Sequence, residues 1–235
     1  MRRVGVLLNT NQLGGAERSL IEQLSLDESG SRIKIYIPKL KLSDEKLRNF
    51  LVSKGKFDID EYRYPKMLYQ ISRRDLNFLP LLLPALIPLL LIHLISWYRL
   101  FRQHDILYIN GNKAAIPVLL LSLVFRMKKC VIWHFRDFPS QTAFRFIGPI
   151  LEKYKPKSIQ LRLVANSHAV ARELKKYFYS TELRTIYNLA GDLSHKPELK
   201  PITHIGIVSM LAPWKGIHEV LLMCAFFEKE LKEMG

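Results

Sequence analysis

Two features of the sequence predict an α/β fold on a doubly wound parallel sheet. Short apolar runs alternate with helix-like segments along most of the chain, and the first run ends in a glycine corner from which a helix starts. The opening run is Val4 to Leu8, followed by the polar turn Asn9 to Leu13 and then Gly14-Gly15-Ala16-Glu17. Later strand-like runs are Arg32 to Ile37, Ile106 to Asn110, Cys130 to Trp133, Leu163 to Asn166, Arg184 to Tyr187 and Ile205 to Ser209. Helical spacing or length marks Asp44 to Ser53, Ala114 to Arg126, His168 to Tyr177 and Ile217 to Lys232.

In such sheets ligands bind at the carboxyl ends of the strands, so the residues just past those ends are the functional candidates. They are Asn9 to Gly15, Asn110-Gly111-Asn112, His134 to Pro139, Asn166-Ser167 and Asn188 to Asp192. The Gly14-Gly15 corner reads in two ways. Glycine lets a ligand approach the backbone, and the first-turn amides of a helix favour negative charge. A tight strand-to-helix connection also asks for glycine on steric grounds alone.

With 235 residues and 49% hydrophobic content, the chain can bury a core, so a disordered protein is excluded. Thirty-six Lys and Arg against 21 Asp and Glu give a formal charge of +15, suited to an anionic membrane face, nucleic acid or phosphorylated substrates. Part of the excess is local: Arg145 to Arg184 holds nine basic and three acidic residues, which a solvated basic face would also explain. Zinc-finger spacing, RNA-binding signatures and basic zippers are all lacking, so nucleic acid is not the expected partner. Cys130 and Cys224 show no paired metal-ligand spacing and read as buried thiols of a reduced, cytoplasmic protein. The apolar stretch before Asn9 is too short for a secretory leader.

Leu79 to Ser96 breaks the alternation. It contains no Asp, Glu, Lys or Arg, is punctuated by Pro80, Pro84, Pro88 and His93, and is flanked by Arg73-Arg74, Arg99 and Arg102. A dock lying in the membrane interface, a buried core segment and a true span all fit this pattern. The basic flanks and Trp97-Tyr98 favour the interface, so bilayer contact is the leading expectation.

Five segments, taken in order, resemble the family 4 glycosyltransferases of the two-Rossmann-domain, GT-B type. Leu13-Gly14-Gly15-Ala16-Glu17-Arg18 is similar to the family's Gly-rich loop, and His134-Phe135-Arg136-Asp137 to its histidine-containing turn. Val164 to Ser167 and Ile186 to Asp192 match the strand ending in serine and the Tyr-Asn-Gly-type turn before the interdomain linker. Ile205 to Gly216, ending Leu211-Ala212-Pro213-Trp214-Lys215-Gly216, resembles the first strand and loop of the second domain. The resemblance implies a Rossmann-like acceptor-binding domain over residues 1–196, a linker at 197–203 around Pro197 to Pro201, and the opening of a donor-binding domain at 204–235. Two departures stand out. Met210 occupies a place where relatives usually carry an arginine, and the family's paired glutamates would fall beyond Gly235.

The resemblance implies retaining sugar transfer from a nucleotide sugar to a lipid-linked or polysaccharide acceptor, at the cytoplasmic face of the membrane. The nucleotide sugar is then a substrate; no cofactor and no metal are expected. Growing charge on the departing diphosphate is the main thing to stabilise, a role that suits Lys215 together with the amides after Gly14 and Gly15. His134, Arg136 and Asp137 are the catalytic candidates. His134 is otherwise satisfied by backbone or by Asp137, and Arg136 and Asp137 either form a structural ion pair or orient His134 and an acceptor hydroxyl. Asn110 and Asn112 shape a turn, and Asn188 caps the linker region. A chain truncated just inside its donor domain is expected to be inactive alone; the alternative is a non-catalytic membrane adaptor paired with a separate C-terminal half.

Overall fold

Strands β1 (Arg3–Leu8), β2 (Arg32–Lys39), β3 (Asp58–Arg63), β4 (Ile106–Asn110), β5 (Lys129–Phe135), β6 (Ile159–Ala165) and β7 (Glu182–Thr185) form one sheet. Their spatial order is β3-β2-β1-β4-β5-β6-β7, and every neighbouring pair is parallel. In the computed structural model the described residues are 1–39, 45–65, 88, 93–125, 128–141, 152–153, 159–188 and 217–227. The chain divides into two units, Met1–Ala190, which holds the sheet, and Gly191–Gly235.

Helices α1 (Gly15–Ser25) and α2 (Glu45–Lys54) cover one face of the sheet. Their Leu20, Ile21, Leu47 and Leu51 pack on Val6, Leu8, Ile33, Ile35 and Ile37. The other face is covered by α3 (residues 93–102), α4 (Asn112–Phe125) and α5 (His168–Tyr177). There Trp97, Phe101, Ala114, Val118, Val170 and Leu174 meet Leu7, Leu107, Ile109, Val131, Trp133, Phe135 and Leu163. Odd and even positions of one strand thus enter different cores, as the two-residue repeat of a strand buried on both faces requires. The doubly wound parallel sheet is the architecture the sequence predicts.

Strand β3 escapes sequence reading because Asp-Ile-Asp-Glu-Tyr-Arg buries only Tyr62. It lies at the sheet edge, where charge discourages pairing with other chains. Its carboxylates reach bases on the inner neighbour: Arg32 to Asp58 at 3.0 Å and Lys34 to Asp60 at 2.7 Å. Strand β7 sits two residues earlier than the predicted Arg184 to Tyr187, and the apolar Ile186 and Tyr187 stay exposed beyond the ladder.

Helix α4 contains Pro117, which cannot donate to the carbonyl of Lys113 one turn earlier. The hydroxyl of the buried Tyr64 donates to that carbonyl at 2.9 Å, so the helix continues without an unsatisfied acceptor. Trp97 corrects the membrane-interface expectation for its own position. It is fully buried, and its indole Nε1–H donates to the Arg63 carbonyl at 2.7 Å. Burying an indole in the protein core leaves it no role as an interfacial anchor. Within Leu79 to Ser96 only residues 88 and 93–96 are described, so the span, dock and core readings of the rest fall outside the described residues. Among the described residues no helix is long and apolar enough to cross a membrane. Cys130 and Cys224 are half-buried free thiols rather than buried ones.

In the second unit, helix α6 (Ile217–Phe226) buries none of its residues. The linker at 197–203, the strand expected at Ile205 to Ser209, Met210 and Lys215 fall outside the described residues.

Candidate functional site

The sheet order reverses between β1 and β4, so the chain turns away from both strands in opposite directions and leaves a crevice at their carboxyl ends. Asn9, just past β1, spans this point. Its Oδ1 accepts from the amides of Lys113 at 2.8 Å and Ala114 at 3.2 Å, capping α4 from across the sheet. Gly111, just past β4, has φ +98°, and a Cβ there would stand 2.8 Å from Asn9 Cγ. Asn112 therefore opens α4 without having to cap it. Ser167 caps α5 by accepting from Val170 N at 3.2 Å.

Helix α1 differs. Its N-cap is Gly14, which has no side chain to offer, and the third residue of the helix, Glu17, bends back instead. The backbone amides of Gly14 and of Glu17 itself favour the charged form of its carboxylate, in the sense of the reach-back half of a capping box, while the Gly14 amide donates to the Gln12 carbonyl at 3.1 Å. A Cβ on Gly14 would lie 2.9 Å from Glu17 Oε2, whereas one on Gly15 would meet nothing within 4 Å. The two glycines thus do different work. Gly14 makes room for the protein's own carboxylate, and Gly15 stands exposed with open space before it.

Alternation along the strands brings a polar group to the α1 face. Tyr108 and Asn110 of β4, His134 at the end of β5, Arg136 just beyond it and Asn166 after β6 are all even-numbered positions. Asn110 is the register partner of His134. The Tyr108 hydroxyl and His134 Nδ1 are 2.6 Å apart, and Arg136 Nε donates to Asn110 Oδ1 at 3.1 Å. Arg136 Nη1 also bonds Asn188 Oδ1, and Asn166 Nδ2 donates to the Arg136 carbonyl at 3.1 Å. A longer contact, 3.5 Å, links Asn110 Nδ2 to Glu17 Oε1. Asn110, Glu17 and His134 are 1%, 5% and 0% exposed.

Burial dominates the electrostatics. It pushes the Glu17 carboxyl up, partly offset by the two amides and by Arg136, and pulls Arg136 down. His134 is lowered to about 3 by burial and by Arg136, so the imidazole is neutral, and Tyr108 is raised to about 12 by burial. Among the described residues, His134 Nε2, Arg136 Nη2 and Asn166 Oδ1 are buried without a hydrogen-bond partner. Buried polar atoms of this kind are uncommon in folded proteins, and each calls for an explanation.

Of the sequence candidates, Gly14, Gly15, His134, Arg136 and Asp137 all lie at the carboxyl edge of the sheet; Lys215 is outside the described residues. The partner of the His134 ring is Tyr108, not Asp137, and the Arg136 guanidinium binds Asn110 and Asn188. Asp137 is exposed and near enough to Glu17 to raise its carboxyl. Tyr108 lay outside every candidate segment, while Glu17, Asn110 and Asn166 lay inside such segments without being given a chemical role. The even-position register of β4, β5 and β6 was the signal that could have grouped most of them. Among the described residues, no group of three or more His, Cys, Asp or Glu could hold a metal ion.

No family model matches the chain, and no curated protein matches it by sequence. Among solved structures, Anabaena Alr3699/HepE in complex with UDP and glucose is similar at a TM-score of 0.51 and 16% identity, over 80% of this chain and 44% of that one. The same protein in complex with UDP-glucose gives 0.50 at 15% identity, with the same coverage. Arabidopsis thaliana UGT89C1 complexed with UDP aligns over 95% of this chain and 55% of its own at 14% identity, but at 0.47 it adds no weight. The chain spans less than half the length of HepE. At these identities the likeness is one of fold: a Rossmann-like parallel α/β sheet like that of the matched part of HepE.

Proposed function

We propose that this chain is the acceptor-side part of a retaining, nucleotide-sugar-dependent glycosyltransferase related to family 4, with 1–196 as its first domain, 197–203 as linker and 204–235 belonging to the donor-side domain. The observation that supports this reading best is the coincidence of the β1/β4 switch point with the open backbone at Gly15. In this reading the donor's diphosphate lies against the exposed amides after Gly14 and Gly15. Lys215 supplies the positive charge that the departing diphosphate needs. His134, Arg136 and Asp137 serve the reacting sugar, with His134 acting as a neutral hydrogen-bonding group because burial keeps it unprotonated. The acceptor is a lipid-linked or polysaccharide glycan presented at the inner face of a membrane, to which the net charge of +15 draws the protein. UDP-glucose bound to the similarly folded HepE names the class of donor to try first.

Titration calorimetry of the full chain with UDP-glucose, GDP-mannose and ADP-glucose tests the proposal. At least one should bind, and Gly15→Val should weaken it about tenfold or more by occupying the open corner, about 1.4 kcal/mol. Because a Cβ at Gly15 meets nothing, the variant should fold as the parent does. Absence of binding by all three, or equal binding by the variant, would refute the reading.

A further inference from the structure

Charge divides unevenly between the two helical layers. Helices α3, α4 and α5 together hold six Lys and Arg against one acid, Glu173, whereas α1 and α2 hold four against three. Glu173 is engaged besides, since its carboxylate accepts from the Ser140 amide. The sequence around α3 and α4 sharpens the contrast. From Leu76 to Arg136 there are seven Lys and Arg and a single acid, Asp105, which is already paired with Arg3 at 3.0 Å. Positive charge gathered on one side in this way repels itself and is relieved by an external anion.

On α3 the exposed residues Ile95, Arg99 and Arg102 lie four and three positions apart, so they form one stripe, while Leu94, Trp97 and Phe101 are buried on the opposite side. Tyr98 flanks the stripe, and its ring meets that of Phe125, the last residue of α4, at 4.5 Å between centroids. The turn after α4 returns to the end of α3. There Lys129 Nζ donates to the carbonyls of Arg102 and His104, with Lys128 exposed beside it. One continuous surface therefore carries Ile95, 64% exposed, and Phe125, 41% exposed, among Arg99, Arg102 and Lys128. Cations alone would suit any polyanion. An isoleucine and a phenylalanine set among them suit a lipid interface, where the cations meet headgroups and the apolar side chains enter the acyl boundary; a nucleic-acid backbone offers those two nothing. The sequence just before α3 continues the pattern, since Leu79 to Ile92 contains no charged residue. Helix α1, with Gly15 at its mouth, packs on the other face of the sheet, so a bilayer held by α3 leaves that corner open.

We infer that the outer surface of α3 and the end of α4 is the face by which this chain docks on an anionic bilayer, with Arg99, Arg102 and Lys128 on the headgroups and Ile95 and Phe125 as the apolar contact. The inference rests on the membrane-presented acceptor of the proposed function and adds a location to it. Docking is local to one helical layer and is not an effect of overall charge.

Sedimentation of the full chain with phosphatidylcholine vesicles, with and without phosphatidylglycerol, tests the inference. Binding is expected only where phosphatidylglycerol is present. Arg99→Gln combined with Arg102→Gln should weaken it about thirtyfold, at about fivefold per cation. Lys46→Gln combined with Lys54→Gln removes the same charge from α2 in the opposite layer and should weaken it less than about twofold, because screening confines each cation's pull to its own side. Ile95→Trp reports position: lipids brominated along the acyl chain should quench its fluorescence, over the signal of the parent chain. Since Ile95 is exposed, this variant should fold as the parent does. Equal weakening by the two charge pairs would overturn the inference and leave an attraction spread over the whole chain. Absence of quenching, with a DNA oligonucleotide displacing the chain from the vesicles, would overturn it in favour of a general polyanion surface. Binding to neither vesicle would overturn it together with the membrane part of the proposed function, while nucleotide-sugar binding, measured separately by calorimetry, stands or falls on its own.

Discussion

Replacing Gly111 with alanine tests whether the switch point is as tightly closed as its geometry says. The residue has φ +98°, where an L-side chain is strained, at a cost of about 1–2 kcal/mol. The new Cβ would also stand 2.8 Å from Asn9 Cγ and 2.9 Å from Asn9 Cβ, closer than real contacts allow. Asn9 cannot simply swing away, because its Oδ1 is held by the amides of Lys113 and Ala114. Moving it uncaps α4, which typically costs about 1 kcal/mol. The total is about 2–3 kcal/mol, or about 4–12 °C in the melting temperature of a domain of this size. Urea unfolding followed by circular dichroism is the assay, read as a lower midpoint at unchanged slope. Gly15→Ala is the control: it has open space and no positive φ, so it should change stability by less than about 0.5 kcal/mol. A Gly111→Ala effect as small as that of the control would refute the argument that Asn9 and Gly111 are locked together.

Two further outcomes follow from burial. Trp97→Ala should lower stability by about 3–5 kcal/mol in the same assay, because it empties a fully buried site and abandons the Arg63 carbonyl; a loss under about 1 kcal/mol would mean that the indole is not core. Burial lowers His134 to about 3, and it lowers His104, buried just before β4 with its Nε2 2.7 Å from the Tyr36 hydroxyl, to about 4, both below the unfolded value of 6.5. Between those limits the unfolded chain binds more protons than the folded one, so stability falls as pH drops from 6.5 toward 4, by up to about 1.4 kcal/mol per pH unit for each histidine. Histidine proton shifts that stay flat for these two rings between pH 8 and 5 would agree, and a midpoint near 6.5 for either would contradict the burial argument.

Much of the scaffold was legible because its signals are local. The apolar runs of β1, β2, β4 and β5 exclude most alternatives to buried strands, and their alternation with amphipathic helices such as α5 points to parallel pairing. Strand β3 was not legible, since its charges are explained only by the bases that β2 places beside it. The same holds for Tyr64, whose hydroxyl answers the Lys113 carbonyl, 49 residues further along the chain, that Pro117 leaves without its helix donor.

By itself the sequence determined the fold class, the glycine corner and the carboxyl-edge location of His134 and Arg136, because strand period and turn chemistry act over a few residues. Only the tertiary structure decided that Gly14 is small for the sake of Glu17, that Tyr108 rather than Asp137 holds His134, and that Trp97 is core. Those outcomes depend on which strands become neighbours. Burial and hydrogen-bond partnership are properties of groups brought together from distant parts of the chain, and no window of sequence contains both partners.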